Sequence, residues 1–349
     1  MPTVTRTTVR SVSLGVLAVA AVVALGAGLL VGRAAAGGPS DPAAAAGQAP
    51  VAGSRIDVIV KATDSEFWQS MMAGSEKAGA DLGVQLGLFG PTSETDIAQQ
   101  VSLVENSISR GAEAIVLASN SSTALDDVVN RARAAGIRVI TVDNAIGAQS
   151  EGFIGTDNVK AGQQAGQRMC DLLTRQGNPA GKVLHESAVS GVQVLIDRFE
   201  GFRSGLAAGC PDAQIIQTLV NGNDLNTAVG QVNDALTRTP DLAGIFADNN
   251  TSGTGTARAV GGSGRADALA VVAFDSDPAE VEAVRSGAID AILVQNPFFF
   301  GYQGVVEAAM ALQGSTPPVN LDPGAVLVDA SNVGDPALAA LLDPPTTTG

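Results

Sequence analysis

Residues 271–297 read VVAFDSDPAEVEAVRSGAIDAILVQNP, which contains a whole strand, helix, strand passage. The apolar run 269–274 stops at Asp275, Pro278 and Glu280 open a helix, and Gly287 closes it. A second apolar run, 288–294, stops at Gln295. In an open parallel sheet the carboxyl ends of the strands border the crevice where ligands sit, so Asp275 and Gln295 are expected in one cleft. A carboxylate beside an amide suits a neutral, hydroxyl-rich ligand, because the first accepts and the second both donates and accepts. Taken singly, Asp275 fits a helix cap and Gln295 an exposed turn equally well.

The same alternation extends outward in both directions. Strands are predicted over 55–62, 84–89, 112–118, 137–142 and 152–155, with helices over 67–82, 97–110 and 123–135 between them. After Thr156-Asp157-Asn158 the series restarts, with helices over 159–175, 194–208, 226–237 and 251–260 and strands over 182–185, 213–219 and 242–247. A helix over 300–312 and a strand over 325–327 follow the opening passage. Such βα units predict parallel sheets covered by helices on both faces. Two series of similar size predict an α/β protein with two doubly wound parallel-sheet lobes joined by a three-stranded hinge, the ligand cleft lying between them. The chain is expected to cross between lobes near Thr156, at Gln295-Asn296-Pro297 and near Gly324. This gives an N-terminal lobe of 54–156 with 296–324, a C-terminal lobe of 157–295 with 325–335, and a tail of 336–349.

Composition narrows the function. The 349 residues are 45% hydrophobic, ample for two cores, and 35 acidic against 20 basic side chains give a net charge of −15. Such a surface repels phosphate backbones and anionic lipid headgroups, which argues against nucleic acid as a partner. Residues 11–32 carry no charge, follow Arg6 and Arg10, and precede Arg33 and three alanines. That pattern fits a secretory signal or a retained membrane anchor. With the Ala/Gly/Pro/Ser tether up to residue 53, it predicts an exported, extracytoplasmic protein, cleaved or held by its first helix.

Cys170 and Cys210 fit either a disulfide or two buried thiols, and together with one histidine, His185, they exclude the usual zinc sets. His185, after an apolar strand, is expected to be structural. The loop Asn221-Gly222-Asn223-Asp224 hints at calcium but lacks the glycine and glutamate of an EF-hand. Gly261 to Gly264 lacks the lysine of a phosphate loop, and no nucleophile elbow is present. The acids Asp64, Glu66, Asp143, Asp248 and Asp275 are candidates to share one cleft, as in glycosidases, yet hydroxyl recognition alone demands the same cluster. A binding protein without cofactor or metal is therefore expected rather than an enzyme.

Six segments in order then carry a likeness: KATDSEFW (61–68), VITVD (139–143), GTDN (155–158), RFEGF (198–202), FD (274–275) and VQNP (294–297). Together they resemble the type I periplasmic sugar-binding proteins, the ribose-binding-like branch serving ABC importers, over residues 54–329. The resemblance implies lobes that close on one monosaccharide or polyol and deliver it to an ABC transporter permease, the binding protein acting as a monomer. It implies that Phe67 and Trp68 sandwich the sugar ring and that Asp143 ends the fourth strand as a hydroxyl acceptor. Arg198 would bind two ligand oxygens bidentately, beside Asp275 and Gln295. Asn249 would contact hydroxyls, with Asp248 next, Asp64 and Asn144 completing the set and Asn223 and Asp224 as further contacts. Two departures bear on the ligand. Asn144 follows Asp143 where ribose binders have arginine, and Ser65-Glu66 stands where they have Asn-Pro. Fewer guanidiniums and more carboxylates favour a neutral polyol, an inositol or another pentose or hexose over ribose, and disfavour a sugar acid. The alternative function is a membrane-anchored sugar sensor partnering a receptor or kinase.

Overall fold

The computed structural model describes residues 51–346. The expected signal or anchor therefore lies outside the described residues up to residue 50, as do residues 347–349. The first sheet contains β1 (Arg55–Ile59), β2 (Gln85–Phe89), β3 (Ala114–Leu117), β4 (Arg138–Val142) and β5 (Gly152–Ile154), all parallel, in the order β2-β1-β3-β4-β5. Helices α1 (Glu66–Leu82), α2 (Ile97–Ser109) and α3 (Asp126–Ala134) connect its first four strands. The second sheet contains β6 (Lys182–Ser187), β7 (Gln214–Val220), β8 (Leu242–Ala247), β9 (Ala270–Phe274), β10 (Ala291–Val294) and β11 (Val326–Asp329) in the order β11-β10-β9-β8-β6-β7. Only β11 runs antiparallel in it. Helices α4 (Asn158–Arg175), α5 (Gln193–Gly209), α6 (Leu225–Arg238), α7 (Asn250–Ser263) and α8 (Pro278–Ser286) serve this sheet.

Each sheet has an apolar cluster on both faces, as crossovers on alternate sides require. Ile56, Val58 and Ile140 pack on one face of the first sheet, and Ile59, Ile115 and Val139 on the other. Strand period 2 explains the split, since neighbouring residues point to opposite faces. Val271 and Ile292 divide from Val272 and Leu293 in the same way in the second sheet.

The chain passes between the sheets three times. It leaves the first sheet after β5, returns after β10 to place α9 (Pro297–Leu312) against α1, β3 and β4, and leaves again after Leu321, which bridges to Ile154, to enter β11.

Two details differ from the sequence reading. The apolar run 288–294 forms a strand only from Ala291, because Ile289 N–H closes on the Ala283 carbonyl and Asp290 accepts from Val271 N–H. The expected tail is also partly folded. A 3-10 turn at Pro336–Leu338 and the short α10 (Ala339–Leu342) bury Leu342 in the cluster of Val281 and Val333, an apolar contact that the proline-rich flank masks in sequence.

A candidate ligand cleft between the two sheets

The strands of both sheets end at one cleft. Asp143 follows β4 with φ 62° and Asp275 follows β9 with φ 81°, both left-handed. Aspartate and asparagine are the side-chain-bearing residues that tolerate this region best, and such strain concentrates at functional sites. The turn directs both carboxylates into the cavity between the two sheets.

On the side of the second sheet, Asp275 Oδ1 accepts from Gln295 Nε2 at 2.8 Å and Oδ2 accepts from Asn250 N–H at 3.2 Å. The carboxylate fixes the amide's orientation, because only the Nε2 end can donate to it. Gln295 Oε1 is thereby left buried without a partner, an acceptor awaiting a donor. Arg198 stacks 4.3 Å over the Phe274 ring while its Nε donates to Asn158 Oδ1 and its Nη1 to the Asp248 carbonyl. Both Nη2 hydrogens and the second Nη1 hydrogen remain for ligand oxygens. Close approach of α4 and α5 holds Arg198 in place, for a Cβ on Gly162 would lie 2.1 Å from the Arg198 carbonyl.

From the first sheet come Phe67, Trp68, Lys61 and Glu94. Lys61 lies two residues beyond β1, after Val60, and its Nζ meets Asp143 Oδ2 at 2.6 Å while lying 5.4 Å from the Trp68 ring centre. Asn120 Nδ2 holds the Lys61 carbonyl, and Gln100 clamps Asn120 and the ends of β1 and β3. Trp68 Nε1 donates to Glu94 Oε1 at 2.6 Å. Phe67 and Trp68 do not form a sandwich. Their rings meet edge to face at 4.7 Å and 73°, which leaves no gap between them, and they form one wall. Ala188, Val192 and Leu195 add aliphatic lining from the side of the second sheet.

Of the ten candidates, Phe67, Trp68, Asp143, Arg198, Asn249, Asp275 and Gln295 line the cavity, and three do not. Asp64 is exposed on the loop before α1. Asn144 is fully buried and donates to the Ser119 carbonyl. Asp248 spends its carboxylate on Ser187 Oγ, His185 Nε2 and Ala188 N–H, tying the β6 and β8 loops together. Asn249 reaches the cavity with its amide already engaged, capping α7 through Ser252 N–H and donating to Asn223 Oδ1. Asp224 caps α6. His185 stacks between Phe199 and Phe246 and is buried, as a structural role requires.

Sequence reasoning missed Lys61, Glu94 and Asn250. A lysine ending a β1 run was a signal of the same kind as Asp143 and Asp275. Glu94 lies in the β2–α2 loop, where no periodicity marks it.

Burial raises the carboxyls of Glu94 and Asp275 above their ordinary range, and the Asp143 charge adds to this at both. Lys61 and the Trp68 N–H oppose it at Glu94, as Arg198 and Gln295 do at Asp275. Ligand hydroxyls can add further donors to such carboxyls and stabilise their charged form. Among the described residues, no three His, Cys, Asp or Glu side chains are grouped to hold a metal. Cys170 and Cys210 are bonded, stapling α4 to the end of α5.

A model of the periplasmic binding protein domain matches residues 56–316. The ribose import binding protein of Escherichia coli (strain K12) is 28% identical over 260 residues, 74% of this chain and 85% of its own length. A D-ribose/D-allose-binding protein of Pseudomonas aeruginosa is 30% identical over 275 residues, covering 75% and 83%. Among solved structures, a carbohydrate transporter solute-binding protein from Agrobacterium radiobacter in complex with D-arabinose superposes with a TM-score of 0.81 at 31% identity, over 83% of this chain and 99% of that one.

Proposed function

The chain belongs to the periplasmic binding protein domain family, whose solute-binding members are receptors rather than enzymes, and on that premise we propose that it captures a neutral monosaccharide or polyol and delivers it to an ABC transporter permease. The observation that carries this reading is the unpartnered Gln295 Oε1 beside Asp275, in a cavity that Trp68 also lines. Acceptors without donors, a lysine, a free guanidinium edge and an aromatic face are the requirements of a ring with hydroxyls on its rim and C–H groups on its faces. Pentoses and hexoses such as the ribose, allose and arabinose of the relatives match it in kind.

Capture is by closure of two lobes, 54–156 with 296–324 and 157–295 with 325–335, about the three crossings. Asn250 Nδ2 reaches Ser65 Oγ and Gln193 N–H reaches Ser122 Oγ, both at 3.1 Å, and these bonds between the two sheets' elements suit the closed state. One chain supplies every wall of the cleft, in keeping with a monomer. The Cys170–Cys210 disulfide supports a location outside the cytoplasm, with the N-terminal apolar segment serving as signal or anchor. Neither the cleft nor the relatives favour the sensor reading.

A thermal-shift screen of the full-length protein against D-ribose, D-allose, D-arabinose, inositols and sugar acids tests the proposal. A neutral sugar at a hundred times its Kd stabilises the fold by about 2.7 kcal/mol and raises Tm visibly. No shift with any neutral sugar or polyol overturns the reading.

A further inference from the structure

A second cavity of about 260 Å³, open to solvent, adjoins the first and shares Asp143 and Val194 with it. Its floor is formed where the chain leaves β5, and Thr156 there is 5% exposed with its Oγ1 directed at no protein partner. Phe153 of β5 supplies a half-buried ring at its side. Asp157, Asp197 and Asp322 form the rim, each on a different segment, and no lysine or arginine lines the cavity. The Thr156 hydroxyl donates and accepts, the ring offers a face for C–H groups, and each carboxylate accepts through Oδ2, its Oδ1 being taken by Lys160 N–H at Asp157, by Gln193 Nε2 at Asp197, and by Asp157 and Gly324 N–H at Asp322. The first cavity binds by the same means. Three rim carboxylates with no cation among them reject phosphate or carboxylate groups.

We propose that this second cavity is a subsite for a neutral hydroxylated substituent of the ligand, so that the protein takes glycosides or disaccharides whose first ring lies against Trp68 and whose second group passes Asp143 and Val194 to Phe153 and Thr156. This rests on the sugar-binding reading above. Side chains of both sheets' elements line the two cavities, so lobe closure forms them together.

The test measures Kd by calorimetry on the full-length protein, for the best-binding sugar of the panel, both its methyl glycosides, and disaccharides carrying it at the non-reducing end. We expect at least one glycosylated form to bind as tightly as the free sugar or more so. Thr156→Val and Phe153→Ala each weaken that form about tenfold, the effect of one lost hydrogen bond or ring contact, while the free sugar changes by less than about twofold. Thr156→Val keeps the side chain's shape and guards against a folding defect from Phe153→Ala. Binding of the free sugar with rejection of every glycosylated form overturns the subsite and leaves the sugar-binding reading intact. Equal weakening of free and glycosylated sugars by Thr156→Val overturns the subsite as well. Failure of every sugar to bind overturns both.

Discussion

Asp275 and Gln295 were legible because each ends an apolar run, and strand ends in parallel sheets face the cleft. What the sequence could not show is how the pair is wired: one carboxylate oxygen consumes the amide N–H and leaves the amide oxygen bare. Asp275→Asn is the sharp test at this scale, since asparagine tolerates the left-handed φ of 81° whereas alanine adds backbone strain. We expect the sugar Kd to rise by about ten- to a hundredfold, in line with losing a charge-assisted hydrogen bond, measured by calorimetry. The ligand-free Tm at pH 8 holds or rises, because the variant removes a buried carboxyl. An unchanged Kd would remove Asp275 from the site. Asp248 shows the opposite case: it too ends a strand, yet the neighbouring strand β6 and the residue after it provide three donors that consume it.

At the scale of elements, the α4–α5 pair positions Arg198 and decides how far the cleft wall advances. Gly201 faces the Val159 carbonyl, and a Cβ there would lie 2.1 Å from it. Gly201→Ala is expected to force the helices apart, costing about 1–3 kcal/mol by urea unfolding and weakening sugar binding through Arg198. A variant as stable as the parent would show that the helices can shift without loss. The disulfide staples the same pair and closes a sequence separation of 40. Replacing both cysteines by alanine is expected to lower stability by at most about 4 kcal/mol, measured by urea unfolding, with binding of the sugar retained. The helices and strands themselves were read to within a few residues, since periodicity and Gly, Pro and Asp punctuation are local. The folded 336–342 segment was not, because its only anchor is Leu342, which finds Val281 and Val333 through long-range contact.

Over the whole molecule, several acids are buried without a matching base. Burial raises the Glu186, Asp277 and Glu307 carboxyls to about 7. Their folded-state affinity for protons exceeds the unfolded one, so the stability they contribute is full below about pH 4 and is lost as pH rises through about 7. Exposed acids held below their ordinary range, such as Asp224 and Asp241, are ionised throughout that window and leave the slope alone. Tm is therefore expected to fall between pH 5 and pH 8. Glu186, fully buried with Oε2 unpartnered, accounts for a difference on the order of 3 kcal/mol. In Glu186→Gln the fall shrinks, and a Tm that rises with pH in the parent would contradict the account.

By itself the sequence determined the two βα series, the three crossings and seven of the cavity's residues, because strand period, helix caps and strand-end polar residues are recorded along the chain. Only the tertiary structure decided which polar atoms remain free for a ligand. Lys61 meets Asp143, Trp68 meets Glu94, and Asp248 is consumed by His185 and Ser187, all between residues remote in sequence. Hydrogen-bond capacity is divided among neighbours in space, and that division follows from how the two sheets face each other.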